Sequence, residues 1–388
     1  MKHIKIVLLG LDFQSENLGC EALSFSFLNI LERIAENNDL FFDCISVNYH
    51  SFEYHSKYVS LKSIVTCFKS ISFFANYAST VKQVDFVIDF TGGDSFSDMY
   101  GISRFLKESS LKVLALLSKT PLIFGPQTIG PFKNKIIKAL ASYIMNNSHQ
   151  VFVRDKLSYD YAKSMNIDSI LVTDIAFCLS YDTQNVQLPI NDNFKIGINI
   201  NALMWSGGYS GKNDFGLQLN YSEYIVNLIK ELLKKEYSVY LIPHVLANNR
   251  IEDDYYINCQ IYEKINDPNL YLSPKFRTPN EAKKYISSMD FFIGSRMHAT
   301  VAAFSTNIPF IAVSYSRKFQ GLYDSLGYRY IIDGKKTSTK LALKQTQYYI
   351  DSISQIEEDL KRSVQNAKKY TSYFIDQLSE ILLNLKNR

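Results

Sequence analysis

Apolar positions along this chain fall in short runs separated by segments of helical period. Ile4–Leu9, Cys44–Val47, Phe86–Phe90, Pro121–Phe124, Gln150–Val153 and Ile170–Val172 read as strands, with amphipathic segments between several of them. Alternation of this kind predicts parallel sheet built from βαβ units. The stretch Tyr181–Asn193 has no periodicity and carries Pro189, which marks a linker. The alternation then restarts. Lys195–Asn201, Ser238–Pro243, Phe291–Ile293 and Phe310–Val313 read as strands, and Ser222–Lys235 and Glu281–Ser288 as helices. The expected architecture is α/β, with two Rossmann-like domains facing a cleft. Residues 1–180 form the first domain, 181–193 the linker, 194–345 the second domain and 346–388 a C-terminal helical segment.

Tyr370, Phe374, Leu378, Ile381, Leu382 and Leu385 form a helical stripe flanked by Lys and Arg. Packing on the first domain and lying on an anionic membrane surface are its two readings. The segment from Ser46 to Gln83, with His50 and His55, carries no recognisable chemistry.

Hydrophobic residues make up 46% and charged residues 21% of the 388, a globular balance with room for two cores. A net charge of +4 gives no ground for nucleic-acid binding, although a local basic cleft for an anionic substrate is compatible with it. No apolar run is long enough to span a bilayer, since Leu111–Phe124 is broken by Lys112, Lys119 and Pro121. Met1–Gly10 reads as a first strand rather than a signal peptide. These features lead us to expect a cytoplasmic protein. Five cysteines without ligand spacing read as reduced structural thiols, with no metal site.

The densest chemistry lies in Met289–Gly321. There a strand-like run breaks at Gly294-Ser295 and delivers Arg296 and His298, and the next strand leads to Tyr315 and Lys318. An extended backbone would put Arg296 and His298 on one side, ahead of an Ala299–Ser305 helix whose positive end favours phosphate or carboxylate. Ligands of open α/β sheets bind at these carboxyl ends of strands. Leu241–His244 likewise ends a strand in a polar residue, and beyond it the adjacent carboxylates Asp253-Asp254 have two readings, ligands for a metal or for substrate hydroxyls, and more often a helix cap.

Four loops of the first domain have the same character. Asn17–Leu23 follows the first strand, although it is not a dinucleotide fingerprint. Asp89–Asp98 holds Gly92, Gly93 and Asp94, a pair of glycines suited to close approach by a ligand. Gly125–Phe132 surrounds Gln127 and Thr128 with Gly/Pro corners, as a sugar or enol pocket requires. Val153–Ser158 puts Arg154 at a strand end beside Asp155.

In order and spacing, NLGCEAL, DFTGGDSFSD, GPQTIGPF, VRD, TDIA, IPH and GSRMHAT, the last followed by a P-x-I-x-V-x-Y-x-x-K pattern, resemble the polysaccharide pyruvyl transferase family from about Asn17 to Gly327. The resemblance implies a fold like that of GT-B glycosyltransferases, phosphoenolpyruvate as donor with no further cofactor, and a saccharide acceptor, free or lipid-linked, that becomes a pyruvate ketal. The setting it implies is exopolysaccharide, capsule or cell-wall polymer synthesis. By the same resemblance Arg296, His298, Lys318 and Arg154 form the catalytic set. Asn17, Gly92, Gly93, Asp94, Gln127, Thr128, His244, Ser295 and Tyr315 are then the substrate-binding candidates. Two positions depart from the family pattern: Cys20 stands where many members have Asp, and Asp94 where many have a third Gly.

Phosphoenolpyruvate carries a carboxylate and a phosphate, so its site needs clustered cations. Ketal formation also needs a proton carrier titrating near neutrality, for which His298 is the candidate. Two other classes share the fold: a glycosyltransferase using a nucleotide-sugar, and a non-catalytic saccharide-binding protein of a polymer-assembly complex.

Overall fold

The computed structural model describes residues 1–183, 186, 188–189 and 192–386. Gln184, Asn185, Gln187, Ile190 and Asn191 of the expected linker lie outside them. The chain divides into two compact units. The first comprises 1–14, 23–179 and 367–388, and the second 15–22 and 180–366.

The first unit is built on β1 (Lys2–Leu9), α1 (Leu18–Asn38, from Leu23 on), β2 (Leu40–Asn48), β3 (Glu53–His55) and β4 (Val59–Val65). It continues through α2 (Ile71–Val81), β5 (Phe86–Asp89), α3 (Ile102–Leu117), β6 (Leu122–Gln127) and α4 (Lys135–Asn146). Strand β7 (Gln150–Val153), helix α5 (Lys156–Ser164) and strand β8 (Ile170–Leu171) follow. The eight strands lie in the order β3-β4-β2-β1-β5-β6-β7-β8, parallel except for β3. The Ser46–Gln83 segment therefore extends the sheet edge by β3 and β4. Central strands are buried along most of their length because helices cover both faces, which explains their unbroken apolar runs.

The second unit contains β9 (Lys195–Asn199), α6 (Ala202–Trp205), α7 (Tyr221–Lys234), β10 (Ser238–Leu241), α8 (Asp254–Ile265) and β11 (Leu270–Leu272). After these come α9 (Pro279–Ile286), β12 (Phe291–Gly294), α10 (Met297–Ser305), β13 (Phe310–Ser314), α11 (Arg317–Leu326) and β14 (Ile331–Asp333). Helices α12 (Thr339–Asp351) and α13 (Ile353–Lys386) close the chain. Its all-parallel sheet runs β11-β10-β9-β12-β13-β14. The order reverses between β9 and β12, the switch point at which open α/β sheets bind ligands.

From Ala367 onward α13 belongs to the first unit. Phe374, Leu378 and Leu382 are buried there, and Phe374 meets Phe152 edge-on at 5.0 Å. These three residues of the C-terminal stripe are thus spent on core packing. Among the described residues no helix is long and apolar enough to cross a bilayer.

Candidate functional site

In the second unit the strand ends of β9, β10, β12 and β13 gather most of the expected residues around one carboxylate. Asp254, the first residue of α8, is fully buried. It accepts hydrogen bonds from the backbone N–H of Ala202 (3.0 Å), His244 (3.2 Å) and Val245 (3.0 Å). Arg296 adds its Nε, at 3.2 Å from both oxygens, and its Nη2 at 2.8 Å. Arg296 is only 13% exposed, and its Nη2 also donates to the Glu252 carbonyl at 3.2 Å. Its fork is therefore engaged by Asp254. The helix-cap role expected of the Asp253-Asp254 pair falls to Asp253 alone, which accepts from Tyr255 N–H.

Arg296 has extended backbone, and α10 starts at Met297, two residues earlier than expected. His298 therefore lies in the first helical turn instead of sharing an extended face with Arg296. Its ring rests on the start of α1: a methyl group at Gly19 would fall 2.4 Å from Nδ1 and 2.8 Å from Cγ. Asn17 shapes that start. Its Oδ1 accepts from Gly19 N–H at 2.9 Å, and Leu18 N–H donates to the His244 carbonyl at 3.1 Å. Asn17 is thus the cap of α1, and Gly19 is the residue of this loop that motif reading left unassigned.

His244 is buried, and neither of its ring nitrogens has a hydrogen-bond partner. Burial first, then its neighbours His298 and Arg296, push its pKa down from 6.5 to about 3. It is a neutral imidazole throughout the working pH range, fitted to hydrogen-bond but not to carry charge. Ser295 is buried and receives the Tyr221 hydroxyl at 2.7 Å, while Asn201 Nδ2 donates to its carbonyl at 3.3 Å. Ser295, expected to touch substrate, is instead spent on bracing the turn.

Lys318 stands in the first turn of α11, where the helix dipole disfavours a cation. Burial pushes its pKa from 10.5 down to about 8, with Cys20 partly opposing the shift. Tyr315 is half-buried just before it and packs on Phe215 at 4.7 Å. Helices α6, α7, α8 and α9 begin with side-chain caps from Asn201, Asn220, Asp253 and Thr278. Helices α10 and α11, which follow the adjacent strands β12 and β13, have none. Two helix N-termini without side-chain caps, with an imidazole in one first turn and a lysine in the other, make a setting for an anion.

The first unit gathers a separate group around Arg154, which is 1% exposed. Arg154 Nη1 donates to Asp174 at 2.7 Å and Nε to Thr128 Oγ1 at 3.0 Å, while Nη2 has no hydrogen-bond partner. Its counter-ion is Asp174 of the TDIA motif. The adjacent Asp155 instead caps α5 through Ser158 N–H at 2.8 Å. Gly93 lies on this guanidinium at φ +82°, and a methyl group there would stand 3.2 Å from Nη1 and 2.7 Å from Leu23. Gly92 shares its turn, and Asp94 accepts from Ser95 and Tyr100, both at 3.3 Å. Gln127 and Thr128, expected to line a sugar pocket, are buried. Gln127 Nε2 donates to the Asp89 carbonyl at 2.9 Å, and Thr128 supports Arg154, so both are interior braces. Asp89 is itself paired with the buried Lys112 at 2.9 Å.

Among the described residues no group of three or more His, Cys, Asp or Glu side chains could hold a metal ion.

The amylovoran biosynthesis protein AmsJ of Erwinia amylovora is 21% identical over 302 residues, which are 74% of this chain and 70% of that protein. Among solved structures, sucrose-phosphate synthase from Thermosynechococcus elongatus matches with TM-score 0.62 at 9% identity, covering 100% of both chains. A putative UDP-N-acetylglucosamine 2-epimerase from Listeria monocytogenes gives TM-score 0.61 at 8% identity, covering 100% of this chain and 98% of that one. At such identity these structures establish the fold alone, the GT-B-like pair of α/β units. The model of the polysaccharide pyruvyl transferase family matches residues 17–317, from the cap of α1 to the first residue of α11. With most of its length matched by that family model, and the family's motif residues at the strand ends of both units, the chain belongs to the polysaccharide pyruvyl transferases, a family of transferases.

Proposed function

We propose that this protein transfers the enolpyruvyl group of phosphoenolpyruvate to a saccharide, forming a pyruvate ketal during synthesis of an exopolysaccharide, capsule or cell-wall polymer. The observation that carries the reading is the pair of helix starts at α10 and α11, which lack side-chain caps and bear His298 and Lys318. A small dianion with a carboxylate and a phosphate suits that combination of N–H groups and ammonium. The AmsJ relative, a protein of amylovoran biosynthesis, supports the polymer context.

In this reading Lys318 holds an anionic group of the donor and His298 carries a proton. Protonation of the donor methylene makes an oxocarbenium-like centre, a sugar hydroxyl attacks it and releases its proton, and phosphate leaves. A second hydroxyl closes the ring and gives up its proton. Neutral His244 offers a hydrogen bond without adding charge, and Arg296, held by Asp254, fixes the turn that presents His298. In the first unit Arg154 offers its unpartnered Nη2.

Lys318 provides the test. Its charge is present below about pH 8 and lost above it. The donor phosphate, with a second ionisation near about pH 6, keeps its charge through that range. Affinity for phosphoenolpyruvate should therefore fall by up to about tenfold per pH unit above the lysine's pKa. Titration calorimetry at neutral and at alkaline pH should show this in the wild type. Lys318→Met should bind weakly at both. Wild-type affinity that ignores pH, or that survives the substitution, would remove Lys318 from the donor site.

A further inference from the structure

Helices α2, α3 and α4 cover one face of the first unit, with α3 packed between the other two. Their inward stripes build the core through Phe73, Tyr77, Phe105, Leu111, Ile137 and Ala141. A second apolar stripe points outward. Ile71 is 88% exposed, Ile136 78% and Leu117 70%, with Ile102 and Leu106 also exposed. Ile102–Leu106 and Ile136–Leu140 are i,i+4 pairs and Ile71–Phe74 is an i,i+3 pair, so each helix pairs an exposed apolar residue with a second one on the same side. Between these edges runs a groove of about 420 Å³ along α3, lined by Phe74, Leu106, Val113, Leu114 and Leu140. Exposed apolar side chains gathered on one face mark interaction sites.

The charge on these helices is predominantly positive. Helices α2, α3 and α4 carry a single acidic side chain, Glu108, and it is paired with Arg104 at 3.0 Å. Lys69, Lys107, Lys133 and Lys135 are exposed and enter no ion pair among the described residues. Lys69 and Ile71 bracket the cap Ser70 of α2. Lys133, Lys135 and Ile136 flank the cap Asn134 of α4. Lysines at helix N-termini oppose the helix dipole, so the stability of these helices does not account for them. The carboxylate of Asp98 beside them is engaged by the backbone N–H of Lys133 (2.8 Å) and Asn134 (2.7 Å).

We infer that the outer face of α2, α3 and α4 is a docking surface for an anionic lipid bilayer. The isoleucines and Leu106 enter the acyl boundary, the groove receives an acyl chain, and the lysines meet lipid phosphates. A soluble anion would need the lysines without the apolar floor. An apolar protein partner would need the floor without these exposed lysines. This surface stands independently of the reaction proposed above.

The test uses the full chain and flotation with vesicles of phosphatidylcholine, alone or mixed with phosphatidylglycerol, at low and high salt. Binding should require phosphatidylglycerol and weaken with salt. Replacing Lys69, Lys133 and Lys135 with Glu should reduce vesicle affinity at least about a hundredfold, at roughly fivefold per lost cation before the added repulsion. Ile71→Asp with Ile136→Asp should abolish binding while leaving the melting temperature unchanged, because both side chains are exposed. Absence of wild-type binding, or equal binding by both variants, would overturn the inference. So would a concentration-dependent dimer that the isoleucine variant dissociates, since the face would then belong to a second copy.

Discussion

His298→Gln should lose between about a hundredfold and ten thousandfold in kcat while binding phosphoenolpyruvate within about tenfold of wild type. Glutamine can donate and accept a hydrogen bond at this place but cannot carry a proton near neutrality. The ring sits in the first turn of α10 against Gly19, half-buried, so its replacement should not cost the fold. Gly19→Ala gives a second reading of the same position. Alanine favours a helix over glycine by about 1 kcal/mol, yet its methyl would meet Nδ1 at 2.4 Å and force the imidazole aside. The expected result is a folded protein with lowered kcat. Near-wild-type turnover of His298→Gln in a steady-state assay would show that the imidazole only hydrogen-bonds.

Asp254→Asn should be the most destabilising single change in the second unit. The carboxylate receives three backbone N–H groups and the Arg296 guanidinium in full burial. Removing its charge leaves a mostly buried arginine without a counter-ion, and such breakage costs about 3–5 kcal/mol. For a unit of this size the melting temperature should fall by roughly 6–20 °C. Because Asp254 also receives the amides of His244 and Val245, the β10 end and the α10 turn should loosen together. Arg296→Met combined with Asp254→Asn should recover part of the loss, since no guanidinium is then left without a counter-ion and the asparagine oxygen still accepts from the backbone. Thermal melts of the two variants beside the wild type decide this, and an unchanged midpoint for Asp254→Asn would contradict the assigned role.

What the sequence revealed and what it concealed follow from the range of the interactions involved. Short apolar runs with helical segments between them exposed the two α/β units, because burial of a parallel strand on both faces leaves a local mark. The turn at Arg296 and His298 was legible for the same reason: it breaks such a run. The strands β11 and β14 have three residues each, and helix α8 intersperses aromatic with polar side chains, so neither left a clear period. Pairings between distant positions left no mark. Arg296 was expected to grip a ligand, and its partner proved to be Asp254; Arg154 was placed beside Asp155, and its partner proved to be Asp174. Gln127, Thr128 and Ser295 have the composition of a binding pocket, yet inside the protein Gln127 bonds to Asp89, Thr128 to Arg154 and Ser295 to Tyr221. A polar residue at a strand end faces a ligand or braces the loop, and only coordinates tell which. The outward apolar edges of α2, α3 and α4 were hidden in the same way, since a helix that is apolar on two sides reads simply as hydrophobic.

The central claim is that the donor is phosphoenolpyruvate and that the chain turns it over. Release of inorganic phosphate from phosphoenolpyruvate, measured with and without a panel of synthetic and lipid-linked glycosides, tests it most directly. The account predicts phosphate release that depends on a glycoside, is matched mole for mole by a pyruvate ketal on that glycoside, and is lost in His298→Gln. Release of a nucleoside diphosphate from a nucleotide-sugar by this protein, with no turnover of phosphoenolpyruvate on any glycoside, would contradict it.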